Sequence, residues 1–444
     1  MTKPSTAEHH ESLTDAFFDL ALDLLWVWRL ELALLVIPTS IGVYAYVLLG
    51  RTAAVLIPVA VVLLAIVTPP VRRYLVRILH RASVRRHLDV AFASLPGVLS
   101  DRSPVVDRVT RTPFGDQVWL GLRHGTSVED LIKAEPVIAA SLGVREVRAV
   151  ADSSRKNRVE LSIVRRDPFG VDALPSPMVD VPRTNGWSPI PVGTDEHGRV
   201  VLLSLPENNL LVGGLPNAGK SVALSGVVAG FALDPTVDLW LFDGKLVELA
   251  AWKSCARCFV GPDIEAAISV LEELRVEMDA RYAELLAHQL RKVSPDLGLP
   301  LQVVVIDELA LFVAGVDKKL AARFSELLRD LVARGRAAGV IVIAATQKPS
   351  IDIVPSALRD LFGFRWALRC ATRDASDTVL GSGWASGGYS ASDIDAANRG
   401  VGLLLHEGGI PVRLRSFHLT DGDVATIADR ASRLRHGNTG ENQQ

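Results

Sequence analysis

Cysteine is scarce. Three in 444 residues cannot build a disulfide framework, which excludes the small stapled scaffolds of secreted proteins. Cys255 and Cys258 form one C-x-x-C. No second C-x-x-C or His pair follows at zinc spacing, so both are read as ordinary, partly buried thiols in a reducing, cytoplasmic main body. Charge of one sign is also missing. Lys and Arg number 48 against 50 Asp and Glu, for a formal net charge of −2. That excludes a generally basic coat, so any nucleic-acid contact has to come from a local patch or a pore. The dipeptide Asn-Lys never occurs, so no guanine-reading Asn-Lys-x-Asp box exists.

Apolar length, by contrast, is plentiful near the N-terminus. Residues 32–49 and 53–71 contain no Asp, Glu, Lys or Arg, and only Gly50, Arg51 and Thr52 separate them. Each approaches the about 20 apolar residues a bilayer-spanning helix needs. The pattern predicts a two-helix transmembrane anchor over 32–71. Arg72, Arg73, Arg77, Arg81, Arg85 and Arg86 follow directly. Arginine beside a span marks the cytoplasmic side. The expectation is a two-pass cell-membrane protein with both termini and the main body cytoplasmic. Within the tail 1–31, residues 12–30 carry Asp15, Asp19 and Asp23 on one helical face, and Trp26 and Trp28 suit a membrane interface.

A basic juxtamembrane linker is expected over 72–116. Residues 117–172 then read as a small α/β adaptor domain: QVWLGL as a strand, SVEDLIKAEPVIAASLG as a helix, VREVRAVAD and RVELSIVRR as strands. Residues 173–189 are Pro-rich and predict a linker. The main body follows at 190–434, and a polar tail at 435–444 is expected to be disordered.

The main body carries the chemistry. A buried strand at Leu210–Val212 leads into Gly214-Leu215-Pro216-Asn217-Ala218-Gly219-Lys220-Ser221, with Val222 continuing a helix. Strand, G-x-x-x-x-G-K-S and helix in that order form a phosphate-binding loop. Its backbone N–H groups and the helix N-terminus face the anion, Lys220 adds charge toward the γ-phosphate, and the Ser221 hydroxyl is suited to Mg²⁺. A second strand ends at Asp243. A long helix over about 263–291 has its core face at Ile268, Leu271, Leu274, Met278, Tyr282 and Leu285. The third strand, Leu301–Ile306, runs into Asp307-Glu308. There Asp307 is expected to hold Mg²⁺ through water, and Glu308 to orient the attacking water. The fourth strand, Val340–Ala345, ends at Thr346-Gln347-Lys348, which makes Gln347 a γ-phosphate sensor. GLPNAGKS also suits a GTPase. The missing Asn-Lys-x-Asp and the Asp-Glu strand tip favour ATP with Mg²⁺ instead. The fold class is α/β, a RecA-like P-loop NTPase with a parallel central sheet flanked by helices.

Residues 190–430 resemble the motor domain of the FtsK/SpoIIIE family of double-stranded DNA translocases. LLVGGLPNAGKSV, LFDGKLVEL, VEMDARYAEL, VVVIDELALF and ARGRAAGVIVIAATQKPSIDI carry the resemblance together. A short apolar hairpin before one motor is similar to transfer proteins of actinobacterial conjugative plasmids and integrative elements. The resemblance implies a homo-hexameric ring around duplex DNA, with each ATP site completed by a neighbour's arginine. It places that arginine at Arg336, with Arg334 as alternate, and pore-facing DNA contacts at Lys318, Lys319, Lys348 and Arg359. The chain departs from chromosome translocases in having no long Pro/Gln-rich linker. It also has only about 25 residues after the last strand pair, too few for a winged-helix domain, which puts sequence-directed loading in doubt. Conjugative DNA transfer is the expected role; chromosome segregation and protein export are the alternatives.

Overall fold

The computed structural model describes residues 39–441 apart from 42, 45, 49, 53–54, 61–67, 96, 153–154, 156 and 171. The interfacial helix expected at 12–30 and much of the two apolar runs lie outside the described residues. Among the described residues no helix is long and apolar enough to cross a membrane. The two-pass membrane placement is corrected on that finding. The physical reason lies in the sequence of the long helix at this end, α1 (Pro69–Ala93). It begins on Pro69-Pro70, among the last three residues of the second apolar run, and is studded with arginine.

The chain divides into two compact units, with the boundary between Arg166 and Asp167. In the first, β1 (Val105–Arg111), β2 (Gly115–Gly121), β3 (Glu146–Ala151) and β4 (Arg158–Val164) form an antiparallel sheet in the order β1-β2-β4-β3. Helix α2 (Val128–Leu142) starts at a capping box, in which Ser127 and Asp130 satisfy each other's backbone N–H groups. Val84, Leu88 and Phe92 of α1 are buried in the same core as Val118, Leu131 and Ile163. Residues 72–116 are therefore an integral part of this unit, not a linker. Apolar residues at every fourth position of α1 gave that helix a face to bury, and the charged edge strand β1 concealed its strand character.

The second unit holds a ten-stranded sheet. Its strands are β5 (Ile190–Asp195), β6 (Val200–Leu203), β7 (Leu210–Gly213), β8 (Asp238–Phe242), β9 (Cys258–Val260), β10 (Gln302–Ile306), β11 (Val340–Thr346), β12 (Phe364–Leu368), β13 (Val401–His406) and β14 (Val412–Ser416). The order is β6-β5-β14-β13-β12-β7-β11-β10-β8-β9. Strands β12 to β9 in that order run parallel; β13, β14, β5 and β6 add antiparallel. The sheet is thus mixed rather than wholly parallel. The central strands are apolar at every position because both faces are covered. On β11, Ile341, Ile343 and Ala345 enter one core, and Val340, Val342 and Ala344 the other. Helices α3 (Lys220–Ala232), α4 (Ile264–Ala287), α5 (Lys318–Arg334), α6 (Arg373–Leu380) and α7 (Asp421–Glu441) complete the layers.

Two boundaries differ from expectation. The Pro-rich stretch 173–189 packs on the unit: Met178 is buried in its core, and His418 donates its backbone N–H to Leu174 and accepts from Ser176 N. Helix α7 continues past residue 435, where a disordered tail was expected. The Arg435 guanidinium bonds the backbone carbonyls of Ala232, Asp234 and Val237 and ties that helix down.

Candidate functional site

The parallel strands β7, β10 and β11 end side by side, and their exits form the site. After β7 the chain turns through Asn217 (φ 61°) and Gly219 (φ 101°) into α3. Gly219 is required twice over. The left-handed backbone disfavours a side chain, and a Cβ there would lie 2.6 Å from Gly400 N. Gly400 N in turn donates to Ala218 O at 2.9 Å. The loop is thus braced by the start of β13.

A cavity of about 360 Å³ opens beside the loop, lined by Leu215, Pro216, Asn217, Gly219, Lys220, Ser221 and Val222, with Gln347 across from them. Gly214 and Ala218 are instead supports. Gly214 N donates to Thr346 O, and Ala218 is buried. Glu248, Arg399, Ser416, His418 and Ala173 also line the cavity. Sequence reasoning did not find these. They come from segments far apart in the chain, and although Glu248 lay in the LFDGKLVEL segment and Ala173 in the expected linker, none was singled out as a site residue.

Lys220 is 3% exposed, and its Nζ donates to Asp307 O at 2.6 Å. Burial lowers its pKa, against the nearby charges of Glu308, Asp307 and Glu248, which raise it. Asp307 is fully buried. Its Oδ1 accepts from Gly244 N at 3.0 Å, and its Oδ2 has no hydrogen-bond partner among the described residues. Burial pushes its carboxyl up to about 6; the Gly244 bond pulls down and the Asp243 charge pushes up. Glu308 is also buried. It accepts from Thr346 Oγ1 at 2.7 Å and from Gln347 N at 2.8 and 3.1 Å. Asp243 is spent structurally, accepting from Lys245 N and Leu249 N. Asp307 Oδ2 is a buried carboxylate oxygen with no donor among the described residues, and Ser221 lines the cavity, so these two residues would suit a hydrated Mg²⁺.

The expected arginines and lysines lie elsewhere. Arg334 is committed within the fold: it pairs with Asp279 and Asp330 and stacks over Tyr282 at 5.5 Å. Arg336 makes one ion pair, with Glu407 at 3.6 Å. It lies before β11, at the sheet end opposite the cavity. Arg365, at the start of β12, joins this second cluster. It faces Asp360 at 3.7 Å, and its Nε is buried with no hydrogen-bond partner among the described residues. Lys318, Lys319 and Lys348 are exposed. Arg359 departs from the expected DNA contact. It is 8% exposed and donates to Asp360 Oδ1 and Asp377 O, because its short helical turn faces inward.

Fold and site together define a P-loop ATPase domain. Residues 177–380 match the family model of the FtsK/SpoIIIE family. It is 27% identical over 304 residues to the DNA translocase FtsK of Staphylococcus aureus (strain Mu50), which covers 63% of this chain and 38% of that protein. To the DNA translocase SpoIIIE of Bacillus subtilis (strain 168) it is 26% identical over 333 residues, 69% of this chain and 40% of that one. The chain therefore spans about two fifths of the length of these relatives. Among solved structures, the pCW3 conjugation coupling protein TcpA, in its monomer form with ATPγS, superposes with a TM-score of 0.54 at 19% identity. The match covers 80% of this chain and 99% of that one. At that identity the likeness speaks for the fold alone.

Proposed function

We propose that this chain is an ATP-driven motor that moves double-stranded DNA, serving conjugative transfer. One observation carries the catalytic part. Asp307 and Glu308 are adjacent, yet Glu308 is held by Thr346 and Gln347 N while Asp307 keeps one buried oxygen without a donor. That division suits one carboxylate to a metal and the other to water. Bound Mg²⁺ would neutralise charge on the phosphates. Lys220, released from Asp307 O, supplies the fixed positive charge. Glu308 orients the attacking water and takes its proton, and the Gln347 side chain senses the γ-phosphate.

The DNA part draws on the family-model match and on relatives whose names are DNA translocases. A conjugative role, rather than chromosome segregation, draws on the name of the TcpA structure and on the similarity to plasmid transfer proteins. In this reading the subunits form a hexameric ring, and the cluster of Arg336 and Arg365 completes a neighbour's site. Lys318, Lys319 and Lys348 contact DNA phosphates without reading sequence. The test is ATP hydrolysis by the purified chain with and without duplex DNA. The reading expects stimulation by DNA of any sequence; stimulation by a protein substrate and not by DNA would replace it with an export ATPase.

A further inference from the structure

The first unit carries a feature that the motor chemistry does not use. A cleft of about 570 Å³ lies between α1 and the edge strand β1, and Arg81, Arg85, Arg86, Arg108 and Arg123 line it. Two carboxylates, Asp89 and Asp107, share the lining. Asp107 is already paired with Arg158 at 3.5 Å. Asp89 sits beside Arg85, and burial raises its pKa. The balance in the cleft is strongly positive although the whole chain is not.

The arginines are held in place by backbone geometry. Arg85 Nη2 donates to Val106 O at 2.9 Å and so fastens α1 to the start of β1. The β1–β2 register shifts between Val106 and Arg108, leaving Asp107 as a bulge. A bulge re-aims the side chains around it. The Arg108 guanidinium then lies 5.1 Å over the Trp119 ring. Arg81 from the helix and Arg123 from the turn after β2 are exposed, and their guanidiniums have no hydrogen-bond or ion-pair partner among the described residues. Exposed guanidiniums on two walls of one concave cleft match phosphate oxygens, which guanidinium binds through paired N–H donors.

We infer that this cleft grips the phosphodiester backbone of duplex DNA, as a second contact independent of the motor unit. The inference rests on the reading that the chain handles DNA. It requires no sequence preference, since no base-reading amide or hydroxyl side chain lines the cleft except Ser103.

The experiment is binding of a fluorescent duplex to the full chain, by anisotropy, across a range of KCl. Each phosphate contact contributes about 0.9 to the slope of log K against log salt. Arg81→Ala with Arg123→Ala is expected to lower the slope by about 1.8 and the affinity at low salt by at least about tenfold. Arg81→Lys with Arg123→Lys should keep most of the slope, and basal ATP hydrolysis should be the same in all three proteins. An unchanged slope in the alanine variant overturns the inference and leaves the DNA reading standing. A wild-type chain that binds no duplex removes both. Loss of binding to phosphatidylglycerol vesicles with an unchanged DNA slope would make the cleft a lipid site and also overturns it.

Discussion

The two ends of the same parallel strands carry charge in opposite ways. At the ends that β7, β10 and β11 point toward, Lys220, Asp307 and Glu308 are buried and almost fully bonded. At the other end, Arg336 and Glu407 have side chains 40% and 67% exposed and meet only at 3.6 Å. A surface pair of that kind stabilises the fold by well under about 1 kcal/mol. The buried set is held in place by its own hydrogen bonds. The exposed pair is loosely held.

The substitutions that break this contrast are ordered by size. Lys220→Ala should abolish nucleotide binding and reduce hydrolysis at least about a thousandfold, measured by filter binding and phosphate release. Arg336→Ala or Arg365→Ala should lower hydrolysis about a thousandfold, yet each should regain activity when mixed with Lys220→Ala subunits. Absence of rescue at every mixing ratio would place the arginines in their own subunit and erase the contrast. Glu308→Gln should lose about a hundredfold to a thousandfold in rate and still bind ATP, because the phosphate cradle is intact. Loss of ATP binding there would remove the water-orienting role.

The smaller effects concern stability. Asp307 is a carboxyl whose pKa in the folded chain is raised, to about 6 from 3.8. The folded state therefore holds its proton more tightly than the unfolded state does. Stability from this group falls as pH rises from about 4 to about 6, and the full cost, on the order of 3 kcal/mol, applies above that. Without nucleotide or divalent cation, Asp307→Asn should raise the melting temperature at pH 7.5 and change it little at pH 4. Gly219→Ala should cost about 2–3 kcal/mol, since its Cβ would meet the Gly400 backbone. A melting curve like the wild type's would mean that the brace yields.

Much of the site was legible in the sequence because its residues are contiguous. Gly214–Val222 and Asp307-Glu308 are short strings at strand ends, and all the central strands carry the apolar runs that double-sided burial demands. What escaped lies between distant segments. Arg399, Ser416 and His418 reach the cavity only through the antiparallel pairing of β13 and β14 and the bond from Gly400 to Ala218. Arg365 sits in a strand of otherwise apolar character, where nothing local distinguishes it from a structural charge. Apolar length at 32–71 was read as a membrane anchor from uninterrupted run length and the arginines that follow it. Arg359 was taken for a surface cation, but its side chain turns inward to Asp360.

The contact between Gly219 and Gly400 also bears on synthesis. The phosphate loop is braced by residues translated about two hundred positions after it. At about 5–20 residues per second, a ribosome needs roughly 10–40 seconds to supply them. For that interval the nascent loop lacks the brace that Gly400 supplies. The ATP site of each newly made chain closes only after β13 has been made.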